Sequence, residues 1–238
     1  MTRVSVCMAT YNGALYLREQ LDSILSQLNP DDELIISDDH STDETSSIID
    51  SYKDLRIKFI TNLGKRGHVQ NFANAMTHAT GEYIALSDQD DVWVDNRLER
   101  MLGQLNMMPR YSLVVGDFTE FGRVQDRTTL RPLGPSPKNG LVPLYRLFAG
   151  QARYAASAFM FRRDLIRFVL PIPEYIEAHD LWIAMNACVH GKVSHLPETT
   201  LMRRLHGNNL TPLRHRRLLV VLKSRVFYIS GLLKTVFR

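Results

Sequence analysis

The chain has 238 residues, 45% of them apolar and 23% charged, with a formal net charge of +4; this is ordinary for a soluble globular protein and enough for one sizeable core. Its two cysteines, Cys7 and Cys188, stand apart with no C-x-x-C spacing, which argues against zinc or thioredoxin-like chemistry and implies a reducing compartment. No window reaches the ~18 uninterrupted apolar residues of a membrane span, and Val4–Ala9 enters a strand at once without signal-peptide character, so a cytoplasmic location is expected.

In chain order, Val4–Ala9 reads as a strand closed by Tyr11-Asn12-Gly13. Apolar positions 17, 21, 24, 25 and 28 have helical spacing and predict a helix over Tyr16–Gln27. Glu33–Ser37 is a second strand ending in Asp38-Asp39, and Ser41-x-x-Glu44 has the form of a capping box, predicting a helix to about Ser51. A strand at Ile57–Ile60, a helix at Val69–Ala79 and a strand at Tyr83–Ser87 follow, then Asp88-Gln89-Asp90-Asp91 and a helix from Asp95 to Asn106. Strands alternating with short helices imply a mostly parallel sheet with ligands at the carboxyl ends of its strands.

The second half is less regular. Leu113–Val115 and Ala156–Phe161 read as strands, with a Gly-, Pro- and Arg-rich loop over Gly122–Gly140 between them. Loops of that length are commonly functional, as lids are. Asp180–Val189 has helical character and Lys192–Leu196 is a short strand. The division expected is one α/β domain over 1–212 and a basic amphipathic helix over 213–238.

Charge is divided unevenly. No Asp or Glu follows Glu198, whereas nine of the 29 Lys and Arg do, leaving 20 basic against 25 acidic side chains before it. A basic, acid-free tail on a mildly acidic body suits an anionic surface. From Arg214 onward, Leu218, Leu219, Leu222, Val226, Ile229, Leu233, Val236 and Phe237 fall in one helical stripe flanked by basic residues. Either an interfacial membrane helix or a helix packed on its own domain has this form.

Three carboxylates in four positions at a strand end repel each other unless a cation or hydrogen-bond donors neutralise them. With Asp38-Asp39 and Thr10-Tyr11-Asn12, polar clusters close three strand ends. The ordered motifs are Ser5-Val6-Cys7-Met8-Ala9-Thr10-Tyr11-Asn12-Gly13, Ser37-Asp38-Asp39-His40-Ser41-Thr42-Asp43, Ala79-Thr80-Gly81-Glu82 with the strand running on to Ser87-Asp88-Gln89-Asp90-Asp91-Val92-Trp93, and His179-Asp180-Leu181-Trp182. In this order the chain resembles a family 2 glycosyltransferase of the GT-A fold, and the Ser-Asp-Gln-Asp-Asp-Val-Trp form is similar to bacterial rhamnosyltransferases of surface-polysaccharide and lipopolysaccharide assembly.

The resemblance implies an inverting, metal-dependent transfer of a sugar from a dTDP- or UDP-sugar to a glycan or lipid-linked acceptor. Mn²⁺ or Mg²⁺, which take oxygen ligands, would be held by Asp90. Asp88 would meet the ribose or a metal-bound water, and Asp91 is either a third ligand or a cap for the next helix. Asp39 would accept the ring N–H of a pyrimidine base, as a carboxylate can, with Asp38 supporting it or meeting the ribose. Thr10 and Tyr11 would cradle the base, with a core position as the alternative for Tyr11. Lys65 and Arg66 either help hold the nucleotide or are solvated.

Asp180 matches the catalytic base, with a helix N-cap as its alternative; His179 would orient it or the acceptor, with the role of base as its own alternative, and Glu174 and Glu177 are weaker candidates. Met202-Arg203-Arg204-Leu205-His206-Gly207-Asn208-Asn209 resembles the family's Arg-x-His-Gly-x-Asn element, which places Arg204 and His206 at the diphosphate, His206 as a further metal ligand, and leaves open which of Arg203 and Arg204 points inward.

Two other functions make different demands on the sequence. A sugar-nucleotide nucleotidyltransferase expects a Gly-rich phosphate loop that Ala9-Thr10-Tyr11-Asn12-Gly13 does not supply. A non-enzymatic membrane or nucleic-acid module would use the tail, but the acidic body opposes broad nucleic-acid contact, and no nucleic acid is expected as a partner. Peripheral attachment to the cytoplasmic face of the inner membrane fits both tail and acceptor.

Overall fold

A computed structural model describes residues 4–122, 133–137, 141–152, 154–207 and 218–236, with the backbone alone for 218–223. At its centre lies β1 (Val4–Thr10), paired in parallel with β2 (Glu33–Asp38) and β4 (Tyr83–Asp88), and β3 (Ile57–Thr61) adds in parallel outside β2. The sheet continues through β7 (Phe159–Arg162), antiparallel to both β4 and β6 (Leu113–Gly122). Next comes β8 (Val193–Leu205), parallel to β6, and β5 (Val92–Trp93) closes the edge antiparallel to β8. The order is β3-β2-β1-β4-β7-β6-β8-β5.

Strand order reverses about β1, with β2 and β3 on one side and β4 on the other, so a crevice opens at its carboxyl end. Register fixes what stands there: Thr10 pairs with Asp38, Ala9 with Asp88, and Asp38 with Thr61. The expected convergence of strand ends is thus met in space.

Both faces of the sheet are covered, which is why β1 and β2 are buried throughout but for Ala9. One apolar core joins Cys7, Ile35 and Ile84 to α3 (His68–Thr77) and α7 (His179–His190) through Phe72, Trp182 and Ile183. The other joins Val6, Met8 and Leu34 to α1 (Ala14–Leu25) and α4 (Arg97–Met107) through Leu17, Leu21 and Met101. Alternation along each strand feeds the two cores in turn. The remaining helices are α2 (Thr45–Ser51), α5 (Leu141–Phe148), α6 (Ile166–Val169) and α8 (Leu218–Val236).

Several expectations are corrected. The capping box does not form: Ser41 donates its N–H and Oγ to Asp38 instead, and α2 begins only at Thr45, whose N–H bonds Asp43 Oδ1 at 3.0 Å. Ala156–Ala158 is a 3-10 turn, so the strand predicted there is only Phe159–Arg162. The short strand ending at Leu196 continues to Leu205, because the ladder with β6 shifts register beside Gly116 and Asp117 and passes over Pro197 and Glu198. Residues 123–132 and 138–140 of the predicted loop, the boundary at 212, and Arg214, Arg216 and Arg217 lie outside the described residues.

Candidate functional site

Three loops build one side of the crevice, and side chains lace them together. Asn12, at a positive φ of 48°, accepts the Thr42 N–H on its Oδ1 and gives its own N–H to Ser41 Oγ, both at 2.8 Å. Gly13 N–H reaches Thr45 Oγ1 at 2.9 Å and Ala14 N–H reaches Asp43 Oδ2 at 3.0 Å. Gln89, which sequence reasoning passed over, clamps the loop after β1: its Oε1 accepts the Tyr11 N–H at 2.9 Å and its Nε2 donates to the Tyr11 carbonyl at 3.1 Å. A Cβ on Gly13 would stand 2.3 Å from that Oε1, so the glutamine of the third motif can hold this position only while the first motif has no side chain there. Tyr11 itself is 56% exposed at the crevice rim, not a core residue.

Asp38 and Asp39 have separate duties. Asp38 is buried and accepts three hydrogen bonds, from Thr10 Oγ1 at 2.9 Å, Ser41 Oγ at 2.6 Å and Ser41 N–H at 2.7 Å. Thr10 is buried as its partner, so both hold the loop. Asp39 accepts the Gly67 N–H at 2.7 Å on Oδ2 and Asn62 Nδ2 at 2.9 Å on Oδ1, one donor per oxygen. A carboxylate has about four acceptor positions, so a further N–H can be met. Lys65 pairs with Glu174 at 3.0 Å on the surface, and Arg66 is exposed on the same loop.

The acid cluster lies at the end of β4. Ligand oxygens of Asp88, Asp90 and Asp91 all fall within 4.8 Å of one another. Burial, and then the charges of Asp91 and Asp90, hold the Asp88 carboxyl well above the usual carboxylate range. Asp91 is pushed up to about 6 by burial and by Asp90, although its Oδ1 accepts the Arg204 N–H at 3.0 Å and Ser157 stands close. Its Oδ2 is buried with no hydrogen-bond partner among the described residues. Asp91 is no helix cap, since Asn96 precedes α4. An all-oxygen cluster with an unsatisfied buried oxygen fits a hard divalent cation such as Mn²⁺ or Mg²⁺.

His206 Nε2 lies 2.7 Å from Asp90 Oδ2, and its ring stacks on Tyr16. Behind the cluster is Arg97, fully buried, its guanidinium 4.2 Å from the Trp93 ring centroid and bonded to the Ser157 carbonyl at 2.5 Å. Burial pulls its pKa down to about 9, while the Asp91 charge raises it. This internal cation was not legible as such, because an arginine opening an amphipathic helix reads as surface.

The two arginines of β8 diverge because adjacent strand residues face opposite ways. Arg204 turns towards α1: its guanidinium pairs with Glu19, lies over Tyr16 and Phe121, and donates from Nε to the Asp90 carbonyl at 2.9 Å. Arg203 pairs with Glu120 at 3.4 Å, and its charge lowers the carboxyls of Asp88, Asp91 and Asp180.

Asp180 closes the opposite side. It is the second residue of α7, so it is not the N-cap, which is Ala178. Its Oδ1 accepts the Leu181 N–H at 2.6 Å. Burial raises its pKa, against the lowering effects of that bond and of His68 and Arg203. The Asp180 charge in turn raises Asp88, so the two carboxylates share one field. A cavity of about 260 Å³ adjoins Asp180, walled by Leu147 and Tyr154 on one side and Ser224, Arg225 and Tyr228 of α8 on the other. His179 does not orient Asp180: it is buried, stacked on Phe72 with ring centroids 4.2 Å apart, and both ring nitrogens lack a partner among the described residues. His68, at the start of α3, lies close enough to Asp180 for the two charges to influence each other.

Sheet order, acidic strand end and flanking helices are those of a GT-A fold. The sequence profile described as Glycosyl transferase family 2 matches residues 5–170, and the chain belongs to that family. It is 35% identical over 105 residues to the UDP-Glc:alpha-D-GlcNAc-diphosphoundecaprenol beta-1,3-glucosyltransferase WfgD of Escherichia coli, covering 44% of this chain and 40% of that relative. The chain thus spans less than half of such a relative's length. Among solved structures, S. aureus TarS 1-349 in complex with UDP-GlcNAc superposes with a TM-score of 0.77 at 19% identity, over 97% of this chain and 66% of that one. Glucosyl-3-phosphoglycerate synthase from Mycobacterium tuberculosis, in complex with Mn²⁺, uridine-diphosphate and phosphoglyceric acid, gives 0.64 at 15% identity, over 98% and 78%. At these identities the structures speak for the fold.

Proposed function

We propose that the protein transfers a hexose or rhamnose from a UDP- or dTDP-sugar to a glycan or lipid-linked acceptor in the assembly of a bacterial surface polysaccharide, inverting the anomeric centre. The observation that carries this reading is the carboxylate triad Asp88, Asp90 and Asp91 at the end of β4, with Asp180 close enough for its charge to raise Asp88. Asp90, with Asp88, Asp91 and His206, would hold Mn²⁺ or Mg²⁺, which when bound neutralises charge on the departing nucleoside diphosphate. Mn²⁺ accompanies the diphosphate in the mycobacterial synthase.

Asp39 offers its remaining acceptor capacity to the base N–H, and exposed Tyr11 stands where it can stack on the ring. Uracil ranks first, because the relative is named for UDP-Glc and TarS carries UDP-GlcNAc. The name of the relative also specifies a diphosphoundecaprenol acceptor, which favours a lipid-linked one here. Of the two arginines, Arg203, whose charge lowers the carboxyls of Asp88, Asp91 and Asp180, is our choice of partner for the diphosphate, with Arg204 positioning Asp90 and Asp91.

In the reaction, the acceptor hydroxyl occupies the cavity beside Asp180, which takes its proton as the oxygen attacks the anomeric carbon. The bond to the diphosphate breaks on the opposite face, and one displacement inverts the configuration. Burial raises Asp180 and so strengthens it as a base. Calorimetry with UDP, dTDP and GDP, each with and without Mn²⁺, tests the donor side. Metal-dependent binding of UDP or dTDP but not GDP is expected; preference for GDP, or binding indifferent to metal, refutes it.

A further inference from the structure

Helix α8 has two apolar faces, and the fold uses one. On the inner face, Tyr228 OH donates to the Ala178 carbonyl at 3.1 Å and accepts the Ala178 N–H at 3.0 Å, while Thr235 Oγ1 meets His190 Nε2 at 2.9 Å. Between them, Gly231 lets the helix close on Trp182, where a Cβ would stand 2.8 Å from the indole ring. The packing expected of a helix lying on its own domain is therefore complete. Yet Val226, Ile229, Leu233 and Val236 remain 63%, 46%, 53% and 51% exposed. Their spacing of three, four and three places them in one stripe, roughly a third of a turn round from the packed face at ~100° per residue. A helix already docked ordinarily shows polar residues outward. The stripe is thus not required by the fold.

Charge identifies what covers it. From Arg214 onward there are seven Lys and Arg and no acid, and Lys234 lies on α8 itself. A second copy of the chain docked through this face would bring one acid-free basic segment against another, which is unfavourable in a two-fold contact. An anionic surface removes that conflict. Helix α5, which α8 meets where Arg225 Nε donates to the Phe148 carbonyl at 2.8 Å, also exposes Leu141, Val142 and Tyr145.

We propose that the outward face of α8 docks the protein on an anionic bilayer, its apolar stripe entering the headgroup boundary and the tail's basic residues meeting lipid phosphates. Docking itself is independent of the glycosyl-transfer reading. Its consequence rests on that reading: the inner face of the same helix, through Ser224, Arg225 and Tyr228, walls the cavity beside Asp180, so a docked α8 holds the acceptor side of the site against the lipid surface.

The experiment is co-sedimentation of the intact chain with phosphatidylglycerol–phosphatidylcholine vesicles and with phosphatidylcholine alone. Binding to the anionic vesicles is expected, weakened by salt. The triple variant Val226→Ser, Ile229→Ser, Leu233→Ser should bind at least roughly tenfold more weakly, with its melting point and its response to UDP plus Mn²⁺ unchanged. In Ile229→Trp, fluorescence quenching by brominated phosphatidylglycerol reads insertion directly. Failure of the intact chain to bind anionic vesicles at low salt, equal binding by the triple variant, or an unquenched Trp overturns the proposal. So does light scattering that finds a dimer which the triple variant dissociates. Because the UDP response is read separately, a failure here is distinguishable from failure of the proposed activity.

Discussion

The two sides of the crevice are built on opposite principles. Where the nucleotide is proposed to lie, the loops after β1, β2 and β4 are tied by side chains: Asp39 to Gly67 and Asn62, Gln89 to both backbone groups of Tyr11, Asn12 to Ser41 and Thr42. Across from it, the Asp180 carboxylate accepts the next amide at 2.6 Å and borders a cavity of about 260 Å³. One side is preorganised by its polar network, the other is left open and desolvated. Recognition of a fixed base and diphosphate gains from rigid, aligned partners. A base gains from burial, because desolvation raises its proton affinity.

The comparison breaks most sharply at Asp90. Asp90→Ala removes one of three clustered oxygens and the partner of His206, so metal-dependent UDP binding and transfer should both fall to background while far-UV circular dichroism is unchanged. Near-normal metal-dependent affinity would take the metal away from this cluster. On the other side, Asp180→Asn should leave UDP affinity intact and lower single-turnover transfer by roughly 10²–10⁴-fold, the scale of losing a general base. Since Ala178 is the N-cap, a cap role cannot rescue the alternative. Retained transfer would move the base to His68, which shares the Asp180 environment.

How far the sequence foretold this divides along the same line. Strands β1 to β4 announce themselves because each is short, apolar and followed by a polar break, and the motifs lie at their ends. Membership in the family was legible from those motifs alone. The later half was less so. β8 was cut short at Pro197, whose neighbours interrupt the apolar pattern that a register shift accommodates. Pairing also hid Arg203 and Arg204, because which face of a strand looks at the crevice depends on its partner. His179 looked functional by adjacency, yet a helix start turns successive residues about 100° apart, sending it into the core while Asp180 stays at the cavity. Gln89 was the quiet member of an acidic motif, and no composition signal marks a clamp whose partners are backbone atoms.

That clamp gives a smaller test, confined to the rigid side. Gly13→Ala would drive its Cβ into Gln89 Oε1 and displace the amide that holds Tyr11. Two hydrogen bonds at about 0.5–1.5 kcal/mol each correspond to UDP affinity weakened by roughly tenfold, with overpacking costing about 1–3 kcal/mol of stability. Pairing it with Gln89→Ala sharpens the point: the glutamine variant should share the lost affinity but not the steric cost, and the double variant should recover most of the stability. Equal stability in both single variants would show that the glutamine simply swings aside.

The gentlest probe lies on the open side, in the histidine that the motif offered and the fold buried. Burial, and then the charge of His68, hold His179 down to about 3, well below the 6.5 of an exposed imidazole. Between those values the unfolded chain binds the proton and the folded chain does not. The His179 contribution is therefore fully present above about pH 6.5 and is lost as pH falls, by about 1.4 kcal/mol per unit. His179→Phe preserves the stack on Phe72 and removes two ring nitrogens without partners among the described residues, so denaturant unfolding at pH 5 and pH 7.5 should show a flatter dependence than the parent. Transfer at pH 7.5 should be unchanged, because the ring faces the core. A variant with the parent's acid sensitivity would place that sensitivity elsewhere. Lost transfer with an intact fold would return His179 to the acceptor, and the division between a laced donor side and a single buried base would fail with it.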